Sequence, residues 1–273
     1  MAATTFPATL AAARRSVAQT IVLYGKEAKY ELINKLRLPV FAISTIAFPI
    51  MFYVLFGIVL GPDNPANRAQ GATYLLATMA CFGVMGASLF GFGVSLAIER
   101  GQGWLMVKRA SPMPIAAYFM AKLVNAVVFS LVISLLLLTI GITFGHVHLT
   151  LPVAVKLVGI LIAGAVPFSA MGLAIGYLAK PNSAPAVVNL IYLPMAFCSG
   201  LWIPLFMLPH GLRMVAKVLP PYHISQLALN SLGMGVSPPA PASGHIEALV
   251  GFTLLCLGLA AWGYWRDEGE MYG

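Results

Sequence analysis

Six long runs of mainly apolar residues constrain this chain more than any other feature of its sequence. Each run holds about 18 residues or more, enough to cross about 30 Å of hydrocarbon as an α-helix that rises about 1.5 Å per residue. Hydrophobic residues make up 60% of the chain and charged residues 9%, a composition outside that of soluble domains. The sequence therefore predicts an all-α integral membrane protein with six transmembrane helices. The predicted spans are Leu38–Leu60, Ala72–Ile98, Ala117–Phe144, Val153–Ala179, Ala184–Met207 and Glu247–Trp265.

The positive charges are divided unevenly between the two sides that these spans define. Twelve of the 16 Lys and Arg residues fall on the side of the two termini, and only Arg68, Lys156, Arg213 and Lys217 fall on the other. Because cytoplasmic loops carry the excess of Lys and Arg, both termini are predicted to be cytoplasmic in a multi-pass protein of the inner (plasma) membrane. The first span is expected to act as an uncleaved signal, since no cleavage site precedes it. Topology and anionic lipid account for the net charge of +8 without a nucleic-acid partner.

The segment before the first span is predicted to be a basic amphipathic helix. Apolar residues such as Ile21 alternate there with cations such as Lys26. Such a helix lies in the membrane interface with its Lys and Arg side chains at the headgroups, and the alternative is an ordinary linker. The chain is thus divided into a cytoplasmic segment (1–37), a six-span membrane domain (38–265) and a cytoplasmic tail (266–273).

No motif for catalysis or nucleotide binding is present in the sequence. It lacks the GxxxxGK[ST] phosphate loop, the HExxH and CxxC metal motifs and the GxSxG nucleophile motif. The interiors of the predicted spans also lack a cluster of charged residues, which a carrier driven by ions or protons needs near the midplane. We therefore expect a chain that is not itself an enzyme, holds no cofactor and draws energy from outside its membrane domain.

The histidines and cysteines do not form a metal or disulfide pattern. His146 and His148 lie two residues apart in a predicted outer loop and would share a metal ion only if that loop were extended, so we expect ordinary loop residues. Cys81, Cys198 and Cys256 all lie within predicted spans. We expect small buried apolar side chains there rather than a disulfide or a metal site.

The segment 199–229 is predicted to form a compact cap on the outer side of the membrane. Residues 212–219 place apolar and cationic positions on opposite faces of a short helix. Pro220 and Pro221 stop that helix, and a second short helix is expected at 224–232. These short re-entrant helices precede the sixth span. The alternative is a long exposed loop, which the apolar content of the segment disfavours.

A short charged insert, residues 99–114, separates the second and third predicted spans. It carries large apolar side chains, among them Trp104 and Met106, between its charges. A buried aromatic side chain is a typical anchor at protein interfaces, and charges around it set orientation and association rate. The residues of the insert alone leave its role open, and one interpretation is a cationic loop resting on anionic lipid.

Two motifs in this chain resemble those of the ABC-2 type permeases, the membrane subunits of ATP-binding-cassette exporters. One is E-R…G…L…R-A-S-P in the insert, and the other is SG…P…LP…L……LP..H, which begins at Ser199 ahead of the last span. Together with the six spans and the amphipathic helix, the resemblance covers essentially the whole chain. The first motif consists of Glu99, Arg100, Gly103, Leu105, Arg109, Ala110, Ser111 and Pro112, with Lys122 opening the third span after it.

The resemblance implies how such a chain works. The insert would form a coupling helix that docks on a separate ATPase subunit, which binds ATP and Mg. Two copies of this chain, as a homodimer, would assemble with two copies of that ATPase, and the transport path would lie at the dimer interface. The residues implied for ATPase coupling are Glu99, Arg100, Gly103, Trp104, Leu105, Lys108 and Arg109. The residues implied for the path, on the second and fifth spans, are Thr78, Met85, Ser88, Asn189, Tyr192 and Phe197.

The lining of this path is apolar with a few hydroxyls and amides, which favours a lipophilic drug or a lipid-like molecule exported from the cytoplasm or the inner leaflet. Two alternatives remain open at this point. One is export of a lipid-linked polysaccharide or a teichoic-acid-like polymer, and the other is a membrane sensor or assembly component with no flux of its own. A membrane-embedded enzyme is the least supported class, because the spans hold no acid–base or metal set.

Overall fold

A computed structural model describes residues 16–111, 113–235 and 241–272, and the side chains of 39–41, 109 and 268–272 are outside the description. Within these ranges the chain is helical or forms turns, and no strand is present. The all-α membrane fold is therefore confirmed. Pro112 of the insert motif and the cations Arg14 and Arg15 lie outside the described residues, as does the side chain of Arg109.

The described chain forms eleven α-helices, two of which continue through π-helical segments. The π-helices Tyr53–Val59 and Leu89–Val94 extend α2 and join α3 to α4, so residues Pro65–Gly101 form one helix of 37 residues. A 3₁₀ turn, Leu205–Met207, precedes α9. The α-helices are α1 (Val17–Leu36), α2 (Pro39–Phe52), α3 (Pro65–Ser88), α4 (Ser95–Gly101), α5 (Trp104–Ala110), α6 (Ile115–Thr143), α7 (Leu151–Leu178), α8 (Ala184–Cys198), α9 (His210–Ala216), α10 (Pro220–Ser231) and α11 (Ala242–Tyr272).

The helix predicted before the first span is present as α1. Its first turn is closed by a capping box, in which the Ser16 hydroxyl accepts from the backbone N–H of Gln19 and the Gln19 side chain accepts from the N–H of Ser16. Apolar side chains such as Val17 and Ile21 are exposed along this helix, 78% and 66% respectively. That pattern is typical of a helix lying against lipid.

Five helices in the described chain are long and apolar enough to cross a membrane, so the count of six spans is not confirmed. The five are Ala42–Val59, Pro65–Gly101, Ile115–Thr143, Leu151–Leu178 and Ala242–Asp267. The fifth predicted span is interrupted: α8 has 15 residues, about 22 Å of helix, which is less than the hydrocarbon thickness.

Gly200 is the physical reason for the short α8. Its φ of +80° lies in the left-handed region and turns the chain after Ser199. A Cβ at this position would approach Leu205 Cγ to 2.7 Å, so glycine also makes room for the following loop. The Gly200 carbonyl then accepts a hydrogen bond of 2.6 Å from the Tyr74 hydroxyl, which fixes the turn against α3.

The helix Pro65–Gly101 is the centre of the core. All residues from Leu76 to Leu89 are buried, and this stretch packs against α2, α6, α7 and α10. It crosses α7 at glycines: a Cβ at Gly93 would lie 2.8 Å from the carbonyl oxygen of Gly172. The small residues therefore allow a close approach of the two helices, with backbone nearly touching backbone.

The two ends of the bundle can be named by the residues that meet there. At one end Arg100, in the last turn of the long central helix, contacts Asp267 near the end of α11. We call this end of the bundle the Arg100 end. At the other end, the His223 end, His223 of α10 and His245 of α11 lie with their Nδ1 atoms 2.9 Å apart. Since α8 starts at the Arg100 end and α11 starts at the His223 end, α8 and the segment after it carry the chain from one end to the other.

The predicted cap before the last helix is present as α9 and α10. The carbonyl of Pro221 lies 3.8 Å from Cys81 Sγ, well inside α3, and Ile224 packs on Gly164 in α7. Thus α10 is inserted between the long helices, which is the arrangement of a re-entrant helix, and does not lie across their ends. Cys81 and Cys256 are buried free thiols, as expected, whereas Cys198 is only partly buried.

Candidate coupling site

Lys122 is the centre of a buried group of charged residues that joins α1, α4 and α6. Its ammonium lies 3.0 Å from Glu31 Oε1 and 2.7 Å from Glu99 Oε1, and it donates to the Ser95 hydroxyl at 2.9 Å. The side chain is fully buried. A buried ammonium is costly unless it is paired and hydrogen-bonded, and here three acceptors from two other helices surround it.

Lys35 extends this group along α1. It lies one turn beyond Glu31, with Nζ 3.9 Å from Glu31 Oε1, and its side chain is 7% exposed. Burial first, and then the positive charge of Lys122, lower the pKa of Lys35 to about 8, even though Glu31 and Glu99 act in the opposite direction. Lys35 therefore competes with Lys122 for the same carboxylates.

Lys108 attaches α5 to the same structure. Its ammonium forms an ion pair with Glu27 of α1 and lies 4.9 Å from the centre of the Tyr118 ring, while Lys122 lies 4.8 Å from that ring centre. The Tyr118 hydroxyl donates to Glu99 Oε2 at 2.6 Å. Both ammonium groups gain a cation–π contact from one aromatic ring.

We name these residues the ionic cluster: Glu27, Glu31, Lys35, Glu99, Lys108 and Lys122. Three carboxylates face three ammonium groups, so the fully ionised cluster has no net charge. It connects the interface helix α1, the end of the long central helix, the insert helix α5 and the start of α6. Ion pairs therefore join α5 to α1, α1 to α6, and α6 to the end of the long central helix.

The ionic cluster lies at the ends of the spans, so the expectation that the span interiors lack a group of charged residues near the midplane is unchanged. Lys122 and Glu99 both lie within helices long enough to span a membrane. The sequence did not reveal them as a group because residues 31, 99 and 122 are far apart along the chain. They meet at the end of the bundle, not near the middle of the spans.

Arg100 makes a second connection on the opposite side of α4. Its guanidinium donates to the carbonyls of Tyr177 and Ala179 at 2.7 and 2.8 Å, and to Asp267 Oδ1 at 3.0 Å. The two carbonyls belong to the last turn of α7, where helix carbonyls have no partner within the helix. Arg100 thus fixes α4 to the ends of α7 and α11.

The coupling residues implied by the resemblance separate into two groups in the structure. Glu99, Arg100 and Lys108 are engaged within this chain, and Leu105 is 4% exposed in a small core beneath α5. By contrast Trp104 is exposed, by 55%. Gly103, with φ +76°, makes the turn that starts α5.

Two further apolar side chains lie near Trp104 on α5: Met106, which the sequence analysis named with Trp104, and Val107, which it did not. Met106 is 55% exposed and Val107 is 60% exposed. We name Trp104, Met106 and Val107 the α5 apolar face. The short charged insert thus exposes apolar side chains, while the side chains of Glu99, Arg100 and Lys108 contact other helices of the chain.

The residues implied for the transport path are also separated. Asn189 and Tyr192 line a cleft of about 490 Å³ between α2, α3 and α8. Thr78, Met85 and Ser88 are fully buried in the core and do not line it. The sequence analysis missed the α2 side of this cleft, which consists of Ser44, Thr45, Phe48 and Pro49.

Phe197, the last of the path residues, lies outside the cleft lining. It is 42% exposed, and its ring centre lies 4.6 Å from that of Trp202. Tyr192 is held in place by its hydroxyl, which donates to the Phe82 carbonyl at 3.1 Å, and by stacking on the Phe82 ring. The cleft wall therefore has a rigid aromatic side.

No metal site accompanies these features in the described residues. His146 and His148 are exposed, and no three His, Cys, Asp or Glu side chains among the described residues are placed to hold an ion.

Comparison with known proteins agrees with this architecture. The model of the ABC-2 type transporter family matches residues 27–232, from the start of the ionic cluster to the end of α10, so the chain belongs to that family. It is therefore the multi-pass membrane subunit of an ABC transporter, a class that works with an ABC ATPase subunit. Among individual proteins, the chain is 29% identical over 231 residues to "Putative transport permease YvfS" of Bacillus subtilis (strain 168), covering 84% of this chain and 92% of the relative.

Proposed function

We propose that this chain is the permease of an ABC exporter for lipophilic drug-like or lipid-like molecules, driven by ATP hydrolysis in a separate ATPase subunit. The observation that carries the proposal is the arrangement of α5. Its apolar face, Trp104, Met106 and Val107, is exposed, while Lys108 and Leu105 fix the helix to the rest of the chain. A helix that is rigidly attached on one side and apolar on the other is suited to receive a partner's motion and pass it on.

In this proposal the Arg100 end is cytoplasmic and the protein lies in the inner (plasma) membrane. Two copies of the chain assemble with two copies of the ATPase. Nucleotide binding and hydrolysis move α5, and the ionic cluster carries that displacement to α1 and α6. The membrane domain then alternates between two states whose populations the nucleotide controls. ATP and Mg are held by the ATPase, so this chain catalyses nothing itself.

The cleft between α2, α3 and α8 supports the assignment of substrate class. Its lining is apolar apart from hydroxyls and amides such as Ser44, Thr45 and Asn189, and no charged residue lines it. Such a surface favours lipophilic molecules over ions or free sugars. We place the path here, with a second copy of the chain closing the open side of the cleft.

The test of the coupling role is the recovery of the ATPase with the tagged chain from its native membranes. Trp104→Ala removes the largest side chain of the α5 apolar face and is expected to reduce ATPase recovery at least about tenfold, the effect of losing an interface hot spot of about 2 kcal/mol. Trp262→Ala is the matched control, because Trp262 on α11 is equally exposed, by 53%. Full recovery of the ATPase with Trp104→Ala, or equal loss with Trp262→Ala, would contradict docking through α5.

The substrate class is tested separately in the reconstituted complex. ATP hydrolysis should rise on addition of a lipophilic dye and stay unchanged with a free sugar. Stimulation by the sugar alone would refute the lipophilic assignment and leave the coupling role intact.

A further inference from the structure

A second and larger cavity lies near the His223 end of the bundle. Its Trp202 ring centre lies 6.4 Å from that of Phe48, which lines the cleft described above. The volume of this second cavity is about 960 Å³, within the range of small-molecule sites. It is bounded by the start of α3, the loop after α8, and the helices α9 and α10. No step of the proposed transport cycle uses it.

The chemistry of the cavity wall is divided between aromatic rings and polar groups. Phe56, Tyr74, Trp202 and Phe206 supply an aromatic wall. The polar groups include the amides of Asn67 and Gln70 on α3, both exposed, and the buried Gln226 of α10. A molecule that fills this space therefore needs an apolar part and a polar part.

Arg213 gives the cavity its charge. It is the one charged residue among the described residues that line the space, and no carboxylate there opposes it. Its Nε donates to the Leu208 carbonyl at 2.8 Å, which fixes the guanidinium plane at the cavity wall. A guanidinium held by one nitrogen has its other donors in a planar fork that fits a phosphate or carboxylate.

We propose that this cavity binds an amphipathic anion, with Arg213 contacting the phosphate or carboxylate head group and the aromatic wall contacting the alkyl chain. The shared chemistry is that of an anionic lipid head group and of free phosphate. The aromatic wall and the volume favour the amphiphile, because a small anion would leave most of the space unfilled. This inference does not depend on the coupling role of α5, and its test requires no ATPase.

The test measures binding to the full chain in nanodiscs of phosphatidylcholine. The probe is dodecyl phosphate with a brominated chain end, which quenches nearby tryptophan fluorescence. The contribution of Trp202 is the difference between the unmodified chain and Trp202→Phe. We expect saturable quenching of Trp202 by the phosphate probe and none by a brominated dodecyl trimethylammonium probe of the same chain length.

Variants then test the role of Arg213. Arg213→Gln should raise the Kd of the phosphate probe at least about tenfold, as expected for the loss of one charge-assisted hydrogen bond. Lys217→Gln is the matched control. Lys217 lies four residues after Arg213, at the end of α9, is exposed and is not among the residues that line the cavity. This variant should leave the Kd unchanged.

Because Arg213 also binds the Leu208 carbonyl, a second variant separates ligand binding from folding. Gln70→Leu changes an exposed lining residue on α3 and should raise the Kd about fivefold, the effect of one neutral hydrogen bond. Unchanged binding in both Arg213→Gln and Gln70→Leu would overturn the proposal. Equal binding of the cationic probe would overturn the charge assignment, and displacement by inorganic phosphate at the same concentration as dodecyl phosphate would overturn the amphiphile in favour of a soluble anion.

Discussion

Replacing Lys122 by methionine tests whether the ionic cluster is a structural unit. Methionine keeps most of the length of the side chain but removes the charge, so the packing changes little. The variant leaves Glu31 and Glu99 facing each other without the ammonium that lies 3.0 and 2.7 Å from them. Both carboxylates then lose their nearest cation in a largely buried site, where the Glu31 side chain is 9% exposed and that of Glu99 is 22% exposed.

The expected magnitude follows from the burial of Lys122. Removing one partner of a fully buried ion pair costs about 3–5 kcal/mol. Each carboxylate keeps a second partner, since Tyr118 donates to Glu99 at 2.6 Å and Lys35 lies 3.9 Å from Glu31. We therefore expect a loss of about 3 kcal/mol, at the lower end of that range. Adding Glu99→Gln to Lys122→Met restores the charge balance and should recover about 1–2 kcal/mol of this loss.

The measurement is the free energy of unfolding of each variant in mixed micelles of denaturing and mild detergent, with tryptophan fluorescence as the signal. Lys180→Met is the matched control: it makes the same chemical change at an exposed lysine, where surface substitutions change stability by less than about 0.5 kcal/mol. If Lys122→Met and Lys180→Met have the same small effect, or if the double variant is less stable than Lys122→Met, the reasoning about the cluster is refuted.

Two further predictions concern other parts of the fold. Gly93→Ala should lower the free energy of unfolding by about 1–3 kcal/mol through overpacking, because its Cβ would lie 2.8 Å from the Gly172 carbonyl oxygen. Gly251→Ala is the control and should have little effect, since open space surrounds that position. Equal stability of the two variants would contradict the close helix crossing. Burial first, and then the neighbouring His245, lower the pKa of His223 below 6.5, so the unfolded chain binds more protons than the folded one as the pH falls through 6.5. Stability from this site is therefore complete above pH 6.5 and is lost below it, and thermal unfolding of His223→Gln should show a weaker loss on acidification than the unmodified chain; an identical pH dependence would rule out His223 as its source.

The sequence was sufficient for the parts of the fold that depend on local pattern. Hydrophobic length located the long helices near their observed bounds, and the alternation of cations with apolar residues located α1. It failed at α8, where the apolar composition continues to Met207 but Gly200 turns the chain. Composition alone does not distinguish a continuous span from a helix followed by a buried loop.

The site could be predicted only in part, and for a similar reason. The insert was recognisable because its charges stand out in an apolar chain. The assignment of those charges to the partner surface could not be checked from sequence, because the acceptors of Arg100 include backbone carbonyls of α7 and the carboxylate that pairs with Lys108 belongs to α1. Only the tertiary fold brings such partners together. They direct Arg100 and Lys108 towards the rest of the chain and leave the α5 apolar face exposed.

Glu99 and Arg100 are consecutive residues, yet their side chains bind different sets of helices. Because neighbours on an α-helix point about 100° apart, Glu99 is joined to Lys122 and Tyr118 of α6, and Arg100 to α7 and α11. Through Lys122 the Glu99 side also reaches Glu31 of α1. The end of the long central helix is thus attached on two sides, four residues before the start of α5. A displacement of Trp104 by a docked partner should therefore move both sets of helices together. Substitution of Glu99 should detach α1 and α6 from that motion and leave α7 and α11 attached, and substitution of Arg100 should do the reverse.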